Sequence, residues 1–384
     1  MEYLRQRFEL ARGLAGTNLR SMEGLRGIAV FLVFLVHFRS SIQAWLFNDS
    51  PTAIVNNAFG MVGNTGVDLF FVLSGYLIYA SLMKRQQAYG SFIGRRIRRI
   101  YPTFFVIFMA YLGLSIIFPA ESKIPSGIAA ATLYFIQNLL FLPGMLPIEP
   151  MITVAWSLSY EVFYYLIMPL IVLAIGLRAK TSQWRIGFFS IVGVILAAIC
   201  IIWQGPLKLA MFIAGILLHE LLESKRNYTP TAWLGLLGLL VGTCAPLLPL
   251  SGMIGNAIRF SLIFSGFLLA CWHCFSQAES WLKQALSWTP LRWLGNMSYS
   301  YYLVHGLSLH AGFMLLQKFM PATPTGGWFF WLILPLMFGV TLVSGALLFV
   351  LVEHPMSLKS ASKPVVVEET REPEVRPTLN TDAA

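Results

Sequence analysis

Apolar positions in this chain come as unbroken runs rather than alternating with polar ones, and polar residues gather between the runs. From Ile28 to Val36 every residue is apolar. A stretch of about 18–25 such residues matches a bilayer's hydrocarbon core. Ten runs of this kind are legible, at 25–46, 61–83, 102–119, 154–177, 186–203, 206–223, 231–250, 254–275, 294–318 and 327–352. The sixth is short and has Lys208, His219 and Glu220 near its ends. Another apolar segment, "IAAATLYFIQNLLFL" at 128–142, has only 15 residues and is followed by Pro143, Pro147 and Pro150. The pattern predicts an all-α, polytopic transmembrane helix bundle of about ten spans, with 128–142 half-buried on the outer face.

Charge orients the bundle. The chain is 384 residues long, 57% hydrophobic and 11% charged, with a net charge of +10 and a mean hydropathy of +0.69. That positive excess does not point to nucleic acid, because it lies in the connections between runs, where lysine and arginine mark cytoplasmic loops. "KRQQAYGSFIGRRIRRIYP" (84–102) is the densest such connection. If 128–142 does not cross, both termini are cytoplasmic and 22 of the 27 Lys/Arg face inward; the others are Arg39, Lys123, Lys208, Arg259 and Lys318. Residues 1–20 carry four arginines and no apolar core, so they read as a cytoplasmic lead-in rather than a signal peptide. The membrane domain is then 21–358. Residues 359–384 are rich in proline and charge and read as a disordered cytoplasmic tail. All four cysteines lie in apolar runs, and "CWHC" (271–274) lacks a second pair of ligands, so no metal site is expected.

Ionisable groups inside the runs are the candidate chemistry, since each is costly at membrane depth. They are Arg26, His37, Asp68, Glu161, His305 and Glu353. Each also has a plain structural reading, as a helix cap or a hydrogen bond between helices. Arg26 and His37 are eleven residues apart, which returns to nearly the same helix face ~16 Å further along. His305 lies equally far into its own run, so the two histidines are expected at similar depth. Counted from the start of the second run at 61, Asp68 falls about one turn further out than His37 and Ser74 about one turn further in. Asp68 is therefore the carboxylate expected to support a histidine. In "RRIRR" (95–99), Arg95 with Arg98, or Arg96 with Arg99, form i,i+3 pairs whose planar forks suit phosphate oxygens. Topology signalling and lipid headgroup contact explain the same cluster.

These residues also carry a resemblance. "LRSMEGLRGIAVFLVFLVHF" (19–38), with ten residues between Arg26 and His37, is similar to the opening of the membrane acyltransferase-3 family. "GVDLFFVLSGYLI" (66–78), "RRIRRIYP" (95–102), "WSLSYEVFYYLIMP" (156–169), "LGNMSYSYYLVHG" (294–306) and "VEHP" (352–355) follow in the family's order. Glu23 stands where the family often has Asp. The resemblance implies a multi-pass enzyme of the bacterial-type cytoplasmic (inner) membrane. It would pass an acyl group, most simply acetyl, from cytoplasmic acyl-CoA to a hydroxyl of a cell-envelope glycan or glycolipid. Acyl-CoA is then a co-substrate, and no cofactor is implied. By the same resemblance His37 is essential with Arg26 assisting, Arg95, Arg96, Arg98 and Arg99 meet the donor, and no esterase-like domain follows the last span. Trp156, Ser157, Glu161, Tyr299, His305 and Glu353 sit in the remaining motifs, and Ser74, Ser157 or His305 would stabilise developing charge. A covalent acyl-histidine relay satisfies the same residues. A transporter or flippase would also place ionisable groups at mid-membrane, but it is expected to carry inverted repeats, which the sequence lacks.

Overall fold

The structure, a computed structural model, describes residues 5, 7–10, 16–224, 229–276 and 279–358. Among these residues only an isolated bridge between Pro143 and Leu146 has β character. The other regular elements are helical: α1 (Gly16–Ile42), α2 (Pro51–Gly63), α3 (Thr65–Lys84), α4 (Tyr89–Ile117), α5 (Ile128–Leu139), α6 (Ala155–Ala174) and α7 (Ser182–Ile202). Then follow α8 (Met211–Glu223), α9 (Ala232–Cys244), α10 (Gly252–Phe275), α11 (Trp281–Leu286), α12 (Thr289–Asn296), α13 (Ser298–Phe319) and α14 (Gly327–Leu348). A π-helical segment, Phe349–Leu358, continues α14.

Among the described residues seven stretches are long and apolar enough to cross a membrane: Arg20–Trp45, Pro51–Lys84, Tyr89–Ile117, Ala155–Ala174, Ser182–Ile202, Gly252–Phe275 and Gly327–Leu358. They coincide with seven of the expected runs. The other three runs are helices with different properties. α8 has 13 residues and is about 20 Å long, short of a ~30 Å hydrocarbon core. Every residue from Met211 to Glu220 is buried, so α8 meets protein instead of lipid. The apolar helix beginning at Ala232 ends at Leu247 and is likewise short. α13 has 22 residues, but its serines, tyrosines and two histidines lower its hydropathy. α5 has 12 residues, ~18 Å, too few to cross alone.

The described part of the N-terminal lead-in is docked. Phe8 is buried against Trp293 and Phe349, and Asn296 Nδ2 donates to its carbonyl at 2.9 Å. The tail expected at 359–384 lies outside the described residues.

Contacts define the two ends of the bundle. At one end Glu220 on α8 accepts from Tyr79 Oη on α3 (2.6 Å), and from Ser182 Oγ (2.7 Å) and Arg185 Nε (2.7 Å) on α7. The start of α7 and the last turns of α3 and α8 therefore lie together, beside the arginine-rich start of α4. We call this the basic end. At the far end, Lys208 Nζ donates to the Asn64 carbonyl just before α3. α3 and α8 run close enough between the two ends for backbones to touch. A Cβ at Gly75 would come within 2.1 Å of the Phe212 carbonyl oxygen, and one at Gly215 within 2.0 Å of that of Val72. Small residues permit this approach where lipid offers no hydrophobic drive.

Candidate active site

α3, α4, α6 and α13 enclose a cavity of about 1150 Å³ at the basic end. Arg26, Arg85, Arg95, Arg96, Arg98 and Arg99 all line it. They are not equivalent. Arg96 donates to Ser81 Oγ at 3.1 Å, and its guanidinium lies 5.0 Å from the centroids of both Phe92 and Tyr165. Arg99 pairs with the fully buried Glu353 and lies over Tyr299. Arg95 bonds Gln87 and is exposed, and Arg98 is exposed with no hydrogen-bond partner among the described residues. Of the two i,i+3 pairs, Arg95 and Arg98 are the ones with donors to offer a ligand. Arg26 Nη2 donates to Ser298 Oγ at 2.7 Å, tying α1 to the first residue of α13.

Glu353 is a junction rather than a solvent-facing acid. Besides Arg99 it accepts from the Ser300 backbone N at 3.0 Å and from Ser300 Oγ. The π-helical segment brings it there. A neighbouring tie, from Tyr299 Oη to the Ile100 carbonyl at 2.8 Å, fixes α13 to α4.

Deeper in the cavity, Ser74 Oγ donates to Glu161 at 3.1 Å, and Tyr165 Oη donates to the same carboxylate. The Ser157 and Tyr302 hydroxyls are 2.6 Å apart. Trp156 is not on the cavity wall. Its backbone lies against Gly144, whose φ of +91° and missing Cβ let the 141–150 connection pass.

Tyr302 forms the step from the cavity to the histidines. Its ring lies 5.8 Å from that of His305, which in turn meets His37 edge-on at 4.8 Å. His305 is fully buried. Its Nδ1 faces the carbonyls of Tyr302 (2.8 Å) and Tyr301 (3.1 Å), which are acceptors only, so the hydrogen sits on Nδ1. Nε2 then carries a lone pair, and it has no partner within the described residues. His37 is partly exposed and makes no side-chain hydrogen bond there.

Two depth expectations are corrected. Asp68 supports Lys208, not a histidine: Lys208 Nζ donates to Asp68 Oδ2 at 2.7 Å. Gly60 lies against Arg39, Gly63 against Leu32 and Val36, and Gly66 against Ala29 and Leu32. In that register Asp68 sits about two turns further toward the basic end than His37. The reason is that the helical rod begins at Pro51, ten residues before the apolar run at 61. His37 is also nearer the far end than mid-span, ~12 Å short of Trp45 and ~25 Å from Arg20 in a span bounded by those residues.

Sequence reasoning passed over Lys208, Tyr165, Tyr302 and Arg85. Lys208 had a visible signal as a lone cation before an apolar helix. The tyrosines had none, because each stands among other aromatics.

Residues 19–350 match the acyltransferase-3 family, described as an acyltransferase domain. The chain is 26% identical to "Putative peptidoglycan O-acetyltransferase YrhL" of Bacillus subtilis (strain 168), over 91% of this chain and 57% of that protein. It thus spans little more than half of that relative. It is 25% identical to "Acyltransferase MdmB" of Streptomyces mycarofaciens, over 91% of this chain and 94% of the other. No solved structure matches it. With the matched segment covering every element from α1 to α14, the chain belongs to the acyltransferase-3 family of acyltransferases.

Proposed function

We propose that the chain is a multi-pass O-acyltransferase of the bacterial cytoplasmic membrane. It moves an acyl group, most simply acetyl, from cytoplasmic acyl-CoA to a hydroxyl of an envelope glycan or glycolipid. In this reading the bundle crosses ten times with both termini and the basic end in the cytoplasm. The short α8 crosses inside a shell of longer helices, and the short α9 on the outside of the bundle, where Trp233, Leu237 and Leu240 are exposed. The observation that carries it is continuity: an arginine-lined cavity leads to Tyr302, Tyr302 to His305, and His305 to His37.

The chemistry follows from the groups along that line. Arg95 and Arg98 engage the nucleotide phosphates of the donor, where bidentate guanidinium contacts are strongest. The pantetheine arm carries the thioester inward past Ser74 and Tyr302. Neutral His37 takes the acceptor hydroxyl's proton as that oxygen attacks the thioester carbonyl carbon. The C–S bond then breaks, and His37 returns the proton to the departing thiolate, leaving an ester and free CoA thiol. His305 Nε2 has no partner among the described residues in the edge-on packing of the two rings. A rotation of His37 on substrate binding would let Nε2 accept the hydrogen on the ring nitrogen of His37 that is not acting as base, keeping the working nitrogen unprotonated. Arg26 remains charged and serves to hold, not to transfer a proton. The name of the Bacillus relative makes peptidoglycan sugar hydroxyls the first acceptor to assay.

The test is thiol release from acetyl-CoA by purified protein in proteoliposomes, with acceptor present. His37→Gln should lose about 10²–10⁴-fold in kcat while donor affinity is kept. The wild-type rate should fall as the medium is made acidic enough to protonate the imidazole. A glutamine variant with most of its activity would overturn the assignment.

A further inference from the structure

The far end of the bundle holds a second cavity, of about 750 Å³, between the last turn of α7, the 203–208 connection and the first half of α10. α3 contributes Asp68. Ile202, Met253 and Phe260 form part of an apolar wall, and Lys208 and Arg259 face the same space. Lys208 is held by Asp68 at 2.7 Å, whereas Arg259 donates to the neutral Asn256 amide at 3.0 Å and makes no ion pair among the described residues. Two cations against one carboxylate leave the cavity with one positive charge. Of the five lysines and arginines that the topology places outside, two converge here.

The surroundings indicate what the charge is for. On α7, Ile195, Ile199 and Ile202 are 53%, 40% and 58% exposed, and on α10 Ile254 and Ile258 are 76% and 42% exposed, as on a lipid-facing surface. Trp203, 75% exposed at the end of α7, marks the headgroup level where tryptophan concentrates. Gln204, the next residue, has a φ of +51°. This left-handed conformation is disfavoured for a non-glycine residue, and it turns the chain so that Gln204 also lines the cavity. A soluble anion needs no apolar wall, and a neutral lipid has no use for Arg259. We propose that this cavity is a binding site for a phosphate-headed amphiphile, whose phosphate meets Arg259 with Lys208 as second donor. Its first methylenes lie along Ile202 and Phe260.

Two sources share that chemistry: an ordinary anionic phospholipid, and a polyprenyl phosphate of the kind that carries sugars through a membrane. The site requires only that the bundle be embedded in lipid, so it stands or falls separately from the acyl-transfer reading. Native mass spectrometry of the full chain in detergent, titrated with phosphatidylglycerol, a polyprenyl monophosphate and diacylglycerol, tests it. The phosphate lipids should be retained and diacylglycerol should not. Arg259→Gln, which leaves the cavity neutral, should weaken retention about tenfold. Asp68→Asn keeps the shape, can still bond Lys208 and adds one positive charge to the cavity, so it should tighten retention. A misfolded variant cannot do that. A tenfold preference for the polyprenyl monophosphate identifies the carrier, and equal binding of both phosphates identifies bulk phospholipid. Diacylglycerol held as well as phosphatidylglycerol, or Arg259→Gln binding like wild type, would overturn the proposal.

Discussion

Glu353→Gln separates charge from shape at the junction between the arginine rim and α13. The carboxylate is fully buried and accepts from Arg99, from the Ser300 backbone and from Ser300 Oγ. Glutamine has nearly the same volume, and its one oxygen can keep both Ser300 bonds. Its amide nitrogen then faces the Arg99 guanidinium, donor against donor. Breaking a fully buried pair costs about 3–5 kcal/mol. Arg99 is 23% exposed toward the cavity and can rehydrate there, so we expect less than that, ~2–3 kcal/mol. At ~2 °C per kcal/mol for a domain of this size, melting in detergent should fall by about 4–6 °C. Glu353→Ala loses all three bonds and should fall clearly further. Donor binding should survive Glu353→Gln, because the released guanidinium still lines the cavity, whereas kcat should drop as the tie between α4 and the π-helical segment is lost. Melting unchanged by the glutamine would refute the argument that charge matters at this junction.

Three further outcomes are expected. Arg95→Gln with Arg98→Gln should raise the donor dissociation constant at least tenfold in isothermal titration without lowering the melting temperature, whereas Arg96→Gln with Arg99→Gln should lower the melting temperature first. His305→Phe keeps a ring against Tyr301 but removes the Nε2 lone pair; steady-state kinetics should show kcat down at least tenfold with donor KM unchanged, and an unchanged kcat would reduce the histidine pair to packing. In a Cys244→Ala background, which removes the exposed native thiol, cysteines at Ser126 and Gln183 should react with an impermeant maleimide from opposite sides of the membrane, and labelling from one side would break the ten-span topology.

Much of the membrane domain is legible because hydrocarbon imposes a length and a composition on any helix it touches. α1, α4, α7 and α14 declare themselves that way. α8 does not, because a helix surrounded by protein answers to its neighbours, and its 13 residues, ten of them buried, fit no bilayer dimension. The depth count brought His37 and His305 to similar levels, and their rings meet. The same count misplaced Asp68, since it used the start of an apolar run where the helix had begun earlier, at Pro51. The partners of the ionisable groups were out of reach for another reason. Asp68 and Lys208 are 140 residues apart, Arg99 and Glu353 are 254 apart, and no periodicity links them. The π-helical turn that carries Glu353 has no sequence signature in this reading.

The two cavities enter from opposite ends and both reach α3, with Val67, Phe70 and Phe71 on one and Asp68 on the other. Between them stands little more than one helix, ~10 Å across, backed by Phe71 stacked on Phe212 at 4.6 Å. With water in both cavities, an energised membrane's voltage would fall across the protein between them instead of across the full ~30 Å that lipid provides, and the local field there would be stronger. A full charge crossing that septum exchanges about 2.3 kcal/mol per 100 mV with the membrane potential. An anionic acceptor or a proton moving through this region would then make turnover respond to voltage, and the Phe71–Phe212 stack between α3 and α8 is part of what separates the two cavities.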